Sequence, residues 1–351
     1  MKTFAALFIA SFVLSYILTP LMVMLSRVRG WVDHPSEERK IHEKPTPTLG
    51  GIPIFFSIFI PICILSYWPN AQGDLIREKT QVLLGLLIGI LLMLCLGIYD
   101  DRKGAGHRIK FSVQILAAVV IYFFDFKIST ISLPFGLHLN LGHFALPFTI
   151  LWVVGITNAI NLIDGIDGLA AGVSLFATVT LFVVSMIFER SFTSAIAVAM
   201  CGALLGFLRY NFFPAQIFMG DSGSLLIGFM ISAISIRGSY KGAAMVALTI
   251  PILALGVPIM DTLLAIWRRL WARKPVFSGD RDHIHHRLVE QGLSQSKAAL
   301  LLYGLTAFFG VMAFLITLGN SQEIALTLLA FGIVTVVVIQ RLGYFTRNDK
   351  K

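Results

Sequence analysis

Long apolar runs alternate with short polar ones along this chain. A helix needs about 20 mainly apolar residues to cross a bilayer. About eleven stretches meet or approach that: 3–26, 50–68, 81–99, 109–125, 146–163, 168–188, 193–210, 219–237, 243–268, 298–318 and 322–341. The fourth and fifth are short. Residues 126–145 break the pattern with Pro134, Gly136 and Gly142, which predicts a small hairpin on the outer face. The expectation is an all-α, polytopic integral membrane protein, with residues 1–351 forming a single domain.

The polar stretches also alternate in charge. Residues 27–49, 100–110, 164–167, 211–221, 269–297 and the tail from Arg341 fall on one side, and four of these six are rich in Lys and Arg. The other side receives 69–80, 126–145, Glu189-Arg190, 238–242 and 319–321, which are short and nearly charge-balanced. The positive-inside rule makes the first set cytoplasmic, with the N-terminus out and the C-terminus in. Run 3–26 is then a retained span rather than a signal peptide. Only Lys2 precedes it, whereas Arg27, Arg29, Arg39, Lys40 and Lys44 follow.

Composition agrees. The chain is 56% hydrophobic and 13% charged, against about 25% charged in soluble domains. The net charge of +9 would suggest nucleic acid in a soluble protein. Among apolar spans it fits cytoplasmic loops facing anionic headgroups and anionic substrates, so the bilayer is the expected partner and nucleic acid is not. Cys63, Cys95 and Cys201 lie in apolar runs without CxxC spacing, which argues against disulfides or a zinc site.

The polar residues that interrupt this apolar chain carry its chemistry. Asn158-Ala-Ile-Asn161-Leu-Ile-Asp164-Gly165-Ile-Asp167-Gly-Leu169 sits between two apolar runs. An ionised Asp at a bilayer centre costs roughly 2.5–3.5 kcal/mol on insertion scales, and such residues are usually functional. Asp164 and Asp167 are three apart and would share a face of a helical turn. This stretch reads as one wall of a metal–phosphate site, the plain alternative being a polar loop. Asp100-Asp101 ends the third run. Adjacent carboxylates repel by roughly 4 kcal/mol at 4 Å in an effective dielectric of 20, which a divalent cation or a lysine relieves. Lys110 and Gln114 follow on one helix face.

Phe218-Met-Gly-Asp221-Ser-Gly-Ser224 opens the eighth run. Asp221 there is a candidate oxygen ligand for Mg²⁺, which takes one or two carboxylates plus substrate phosphates. The alternative is a helix cap. The loop from Asp33 to Gly51 holds Lys44, Thr46, Thr48 and a Gly-Gly helix start, groups suited to phosphate oxygens. His283-Ile-His285-His286 lies in a basic loop, without the Cys or HExxH pattern that would favour zinc. Gly292 and Ser294 read as the stop of that helix and the cap of the next. Asp261, in the ninth run, is expected to form a structural charge pair with Arg268 two turns on, the alternative being a substrate role. All the motifs fall on the face assigned to the cytoplasm.

With these motifs the sequence resembles the polyprenyl-phosphate N-acetylhexosamine-1-phosphate transferases, from about Asp33 to Ser294. The resemblance rests on Gly50-Gly51, Asp100-Asp101, Asn158-x-x-Asn161-x-x-Asp164-Gly-x-Asp167-Gly-Leu169, Gly220-Asp221-x-Gly223-Ser224 and His283-Ile-His285-His286. It implies transfer of a sugar 1-phosphate from a UDP-sugar to undecaprenyl phosphate with release of UMP. That would be the first membrane step of a cell-envelope polysaccharide or teichoic acid. Asp100 and Asp101 would handle the acceptor phosphate as catalytic residues, and Asp164 and Asp167, also catalytic, would help line the diphosphate and uridine site. Asp221 would bind Mg²⁺, or Mn²⁺ in its place. Asn161 and Gly165 would line the donor site, and Phe218 would stack on the uracil. Lys44, Thr48, Lys110, His283, His285 and His286 would contact substrate.

The His-Ile-His-His pattern matches the branch using UDP-N-acetylglucosamine. The branch using UDP-N-acetylmuramoyl-pentapeptide more often has three consecutive His, and carries a Lys three residues after its second Asp, where this chain has Gly104. Lys110 is the candidate for that role. An ion-coupled transporter would instead need acids facing a midplane cavity. A homodimer stays open.

Overall fold

The computed structural model describes residues 1–33, 45–132, 138–237, 248–273, 282–319 and 321–342. Helices dominate: α1 (Lys2–Arg29), α2 (Gly51–Tyr67), α3 (Ala71–Glu78), α4 (Thr80–Lys103), α5 (His107–Phe123), α6 (Ala145–Ile163) and α7 (Leu169–Ile187). They continue with α8 (Ser191–Asn211), α9 (Gly220–Arg237), α10 (Thr249–Ala254), α11 (Gly256–Trp271), α12 (Ile284–Glu290), α13 (Gln295–Leu318) and α14 (Ser321–Arg341). Two short antiparallel pairs are the strands described: β1 (Val32–Asp33) with β2 (Thr46–Pro47), and β3 (Thr130–Ser132) with β4 (His138–Asn140). The second pair is the hairpin expected after the fourth apolar run.

Among the described residues, seven helices are long and apolar enough to cross a membrane: Lys2–Arg29, Thr80–Lys103, Gly142–Ile163, Leu169–Ile187, Ser191–Asn211, Gln295–Leu318 and Gln322–Arg341. The pair α2 and α3, bent by 105°, adds an eighth if it counts as one span. The protein is therefore a multi-pass, all-α membrane protein. Leu326, Leu329, Ile333, Val336 and Val337 of α14 point outward, as side chains facing lipid would.

The predicted runs 50–68, 109–125 and 219–237 are also helices, of 17, 17 and 18 residues. The run 243–268 behaves differently. Its first residues, 243–247, lie outside the described part, and the rest divides into α10 and α11 at Leu255. Pro258 has no N–H to give the carbonyl of Ala254, which weakens the helix ladder at that break.

Helix α9 runs through the middle of the bundle. Ser222 to Ile236 are all buried, as befits a helix apolar on every side. It packs against α2, α4, α6 and α7. Gly97 of α4 and Gly51 of α2 make its first turn accessible. A Cβ at Gly97 would come within 2.3 Å of Ser222 Cα, and one at Gly51 within 2.3 Å of Ser222 C. Only residues without side chains let three helix ends converge there, and that convergence places the site.

Candidate active site

The polar residues gather where α4 ends, α5 begins, α6 ends and α9 starts. Asp101, in the last turn of α4, caps α9 from outside. Its Oδ1 accepts from Asp221 N at 2.8 Å and its Oδ2 from Ser222 N at 3.0 Å. The first N–H groups of a helix have no partner within it, and a carboxylate there also suits the helix dipole. Both oxygens of Asp101 are thus engaged by the fold.

Asp100 has a different environment. Its Oδ1 accepts from Ala105 N, and its Oδ2 pairs with Lys110 Nζ at 2.6 Å. The same Nζ contacts Asp221 Oδ2. Asp221 Oδ1 accepts from Asn161 Nδ2 at 3.0 Å, and Asn161 Nδ2 also reaches Ser224 Oγ at 2.9 Å. One turn below Lys110, Gln114 accepts from Asn158 Nδ2 at 2.7 Å and fastens α5 to α6. Lys110 therefore sits between two carboxylates.

Asp164 stands at the end of α6, half-buried. Its carboxylate accepts no hydrogen bond among the described residues. Burial and the carboxylates of Asp221, Asp101 and Asp167 push its carboxyl well above the usual range. Asp167 is engaged elsewhere, its Oδ2 accepting from Ala215 N at 2.9 Å. The expected shared helical face is not formed. The chain leaves helix at Ile163 and resumes it at Leu169, with Gly168 at φ +76°. Tyr303 of α13 pins the intervening turn by donating to Gly168 O at 2.6 Å.

The histidines approach this turn from α12. His285 packs on Gly165 so closely that a Cβ there would meet its Nε2 at 2.2 Å. His283 Nδ1 lies 2.9 Å from Asp261 Oδ2, and Ile284 N donates to Asp261 Oδ1 at 2.8 Å. This corrects the expected Asp261–Arg268 pair. Seven residues of helix separate those two by about 10 Å along the axis, and Arg268 instead reaches Asp282 at 3.4 Å. Gly292 (φ +94°) and Ser294, whose side chain accepts from Lys297 N, end and begin helices as expected.

On the other flank, Phe218 N donates to Pro47 O at 2.7 Å, which ties the Thr48 segment to the start of α9. Phe218 is half-buried. Lys44 lies outside the described residues. The structure thus brings Asp100, Asp101, Lys110, Asn161, Asp164 and Asp221 together, with Thr48 and Phe218 on one side and Gly165 with the histidines on the other. The contact of Asp261 with the histidine turn was not read from the sequence. The available signal was its charge inside an apolar run.

Desolvation, and then the neighbouring His286, hold the His285 imidazole down to about pH 3, so it is neutral. Below the ordinary value of 6.5 the unfolded chain takes up a proton there that the folded one refuses. Stability should therefore fall as pH drops from 6.5 towards 3. Thermal unfolding in detergent near neutrality and near pH 5 should show the loss, and His285→Gln should reduce it. An equal loss in the variant would place the acid sensitivity elsewhere.

Comparison with known proteins agrees with this picture. Residues 83–239 match glycosyl transferase family 4. A Bacillus subtilis (strain 168) protein named "probable undecaprenyl-phosphate N-acetylglucosaminyl 1-phosphate transferase" is 37% identical over 98% of this chain and 95% of its own length. The decaprenyl-phosphate N-acetylglucosaminephosphotransferase of Mycobacterium tuberculosis (strain ATCC 25618 / H37Rv) is 32% identical over 94% of this chain and 88% of its own. A phospho-N-acetylmuramoyl-pentapeptide-transferase from Clostridium botulinum (strain Eklund 17B / Type B) is 30% identical over 87% of this chain and 93% of its own. The membrane helices together with these relatives make the protein a membrane-embedded phosphotransferase. The chain belongs to the polyprenyl-phosphate N-acetylhexosamine-1-phosphate transferases, within glycosyl transferase family 4.

Proposed function

We propose that this protein transfers N-acetylglucosamine 1-phosphate from UDP-N-acetylglucosamine to undecaprenyl phosphate and releases UMP. The observation that carries the reading is the Lys110 ammonium held between Asp100 and Asp221 at the start of α9. It sets a fixed cation and carboxylate oxygens where two phosphates must meet. The full-length likeness to proteins named for N-acetylglucosamine transfer favours that sugar over the muramoyl-pentapeptide donor.

In this reading an oxygen of the acceptor phosphate attacks the sugar-bearing phosphorus of the donor directly. The bond from that phosphorus to the oxygen shared with UMP breaks, and UMP leaves with its electron pair. The acceptor is already an oxyanion, so a covalent enzyme intermediate would add little. Phosphoryl transfer is chiefly a matter of positioning and charge stabilisation. Asp100 takes the last proton of the acceptor phosphate: its Oδ2 is held by the Lys110 side chain, which can move to the incoming phosphate, whereas both oxygens of Asp101 are held by backbone N–H groups of α9. Lys110 then balances charge as the two anions approach. Asn161 orients Asp221, and Phe218 stacks on the uracil.

Among the described residues no three His, Cys, Asp or Glu side chains form a metal cage. The donor set still fits Mg²⁺, or Mn²⁺ in its place. Hard carboxylate oxygens of Asp221 and Asp100 would supply one or two ligands, and substrate phosphates would complete the shell. Bound there, the ion would neutralise charge on the diphosphate. The remaining surplus of carboxylates, Asp164 included, is what such a cation relieves.

We place the site on the cytoplasmic face of the cell membrane, in an eleven-span arrangement with the N-terminus outside. The loop charges support this. Purified protein given UDP-N-acetylglucosamine, undecaprenyl phosphate and Mg²⁺ should release UMP. Inverted membrane vesicles should do so with external donor, and right-side-out vesicles should not. Absence of UMP from the purified system would refute the activity, and equal rates in both vesicle types would refute the facing.

A further inference from the structure

We propose that Asp261 is a positioning residue for the donor side of the site. From inside α11 it holds the His-Ile-His-His turn, and through that turn the position of Gly165 beside Asp164. The proposal rests on the donor reading above. Asp261 is only 1% exposed and lies in an apolar helix, where a carboxylate is costly without a purpose. Both its oxygens are committed to the turn, Oδ1 to Ile284 N at 2.8 Å and Oδ2 to His283 Nδ1 at 2.9 Å. The carboxylate therefore fixes the first backbone N–H of α12 and the proton of one imidazole nitrogen together. With Nδ1–H turned to Asp261, Nε2 of His283 points away from it.

The consequence passes along a stack of rings. His283 and His285 lie parallel, with 3° between planes and 5.8 Å between centroids. His285 and His286 are 4.1 Å apart. His285 then bears on Gly165, and its buried Nε2 has no hydrogen-bond partner among the described residues. An unsatisfied polar atom inside a protein is costly, so this one is held in place by its neighbours. Asp261 supplies that hold 22 residues away in sequence from His283. It acts through the histidines and does not touch the reacting groups.

Asp261→Asn tests this. The amide keeps the shape and one acceptor for Ile284 N. It presents an NH₂ group to His283 Nδ1, which must then give up its proton and turn the opposite tautomer outward. Replacing a charge-assisted hydrogen bond by a neutral one amounts to about 10-fold. The expected result is a rise of about 10-fold in KM for UDP-N-acetylglucosamine, an unchanged KM for undecaprenyl phosphate and a near-normal unfolding temperature. Combining Asp261→Asn with His283→Ala should be no worse than His283→Ala alone, since the two act as a unit. Hydrogen exchange on the full-length protein without substrate gives a second readout. Exchange should quicken in residues 282–290 and 164–168 and stay unchanged at the start of α9. Equal losses for donor and acceptor, additive effects, or unchanged exchange at 164–168 would overturn the proposal. A wild-type protein that neither binds nor uses UDP-N-acetylglucosamine would overturn the donor reading instead, and exchange would still decide the role of Asp261.

Discussion

Replacing Asp221 with Asn is expected to lower UMP release by on the order of 10²–10³-fold, the usual cost of losing one preorganised electrostatic contact to a transition state. The fold should survive. The backbone N–H of Asp221 is held by Asp101, and that bond does not involve the substituted side chain. Asn also keeps an oxygen for Asn161 Nδ2. It loses the negative charge that faces Lys110 and would face a divalent cation. Raising Mg²⁺ should recover part of the activity. Near wild-type turnover at ordinary Mg²⁺ would reduce Asp221 to a helix-start residue.

Replacing Lys110 with Met should be at least as damaging and should differ in its metal dependence. Without the ammonium, the carboxylates of Asp100 and Asp221 are left to repel one another. Two unit charges 4 Å apart repel by about 4 kcal/mol at an effective dielectric of 20. Spread over the reaction, that corresponds to a loss in turnover on the order of 10³-fold. The site also becomes more negative, so the Mg²⁺ concentration giving half-maximal activity should fall. A titration of activity against Mg²⁺ reads both quantities in one series. Lower turnover with a raised Mg²⁺ requirement would mean that Lys110 helps to build the cation site rather than competing with it.

Much of this site is legible in the sequence. Polar groups stand out in an apolar chain because each must repay the cost of its burial. Asp100-Asp101, Asn161, Asp164 and Asp221 were conspicuous for that reason, and they do converge. Gly220 and Ser222 likewise marked the start of α9. The division of labour between Asp100 and Asp101 was not visible. Two identical neighbours on a helix point about 100° apart, and only the position of α9 decides which one caps it. The shared face assigned to Asp164 and Asp167 assumed helix where the chain turns. The partner of Asp261 was missed because spacing along α11 suggested Arg268, whereas the real partner arrives from another element. The break at Leu255 was hidden in a run whose hydropathy is continuous.

The cap that Asp101 places on α9 also bears on how the molecule is made. Asp101 and its partner Asp221 N are 120 residues apart in the chain. At about 5–20 residues per second, α4 waits about 6–24 seconds for α9 to be synthesised. During that interval the aspartate pair reaches the membrane surface with neither the helix it caps nor the lysine-bridged partner. A nascent chain that stops before Gly220 therefore holds Asp100 and Asp101 without their partners, and the cluster closes only when translation has delivered the ninth helix.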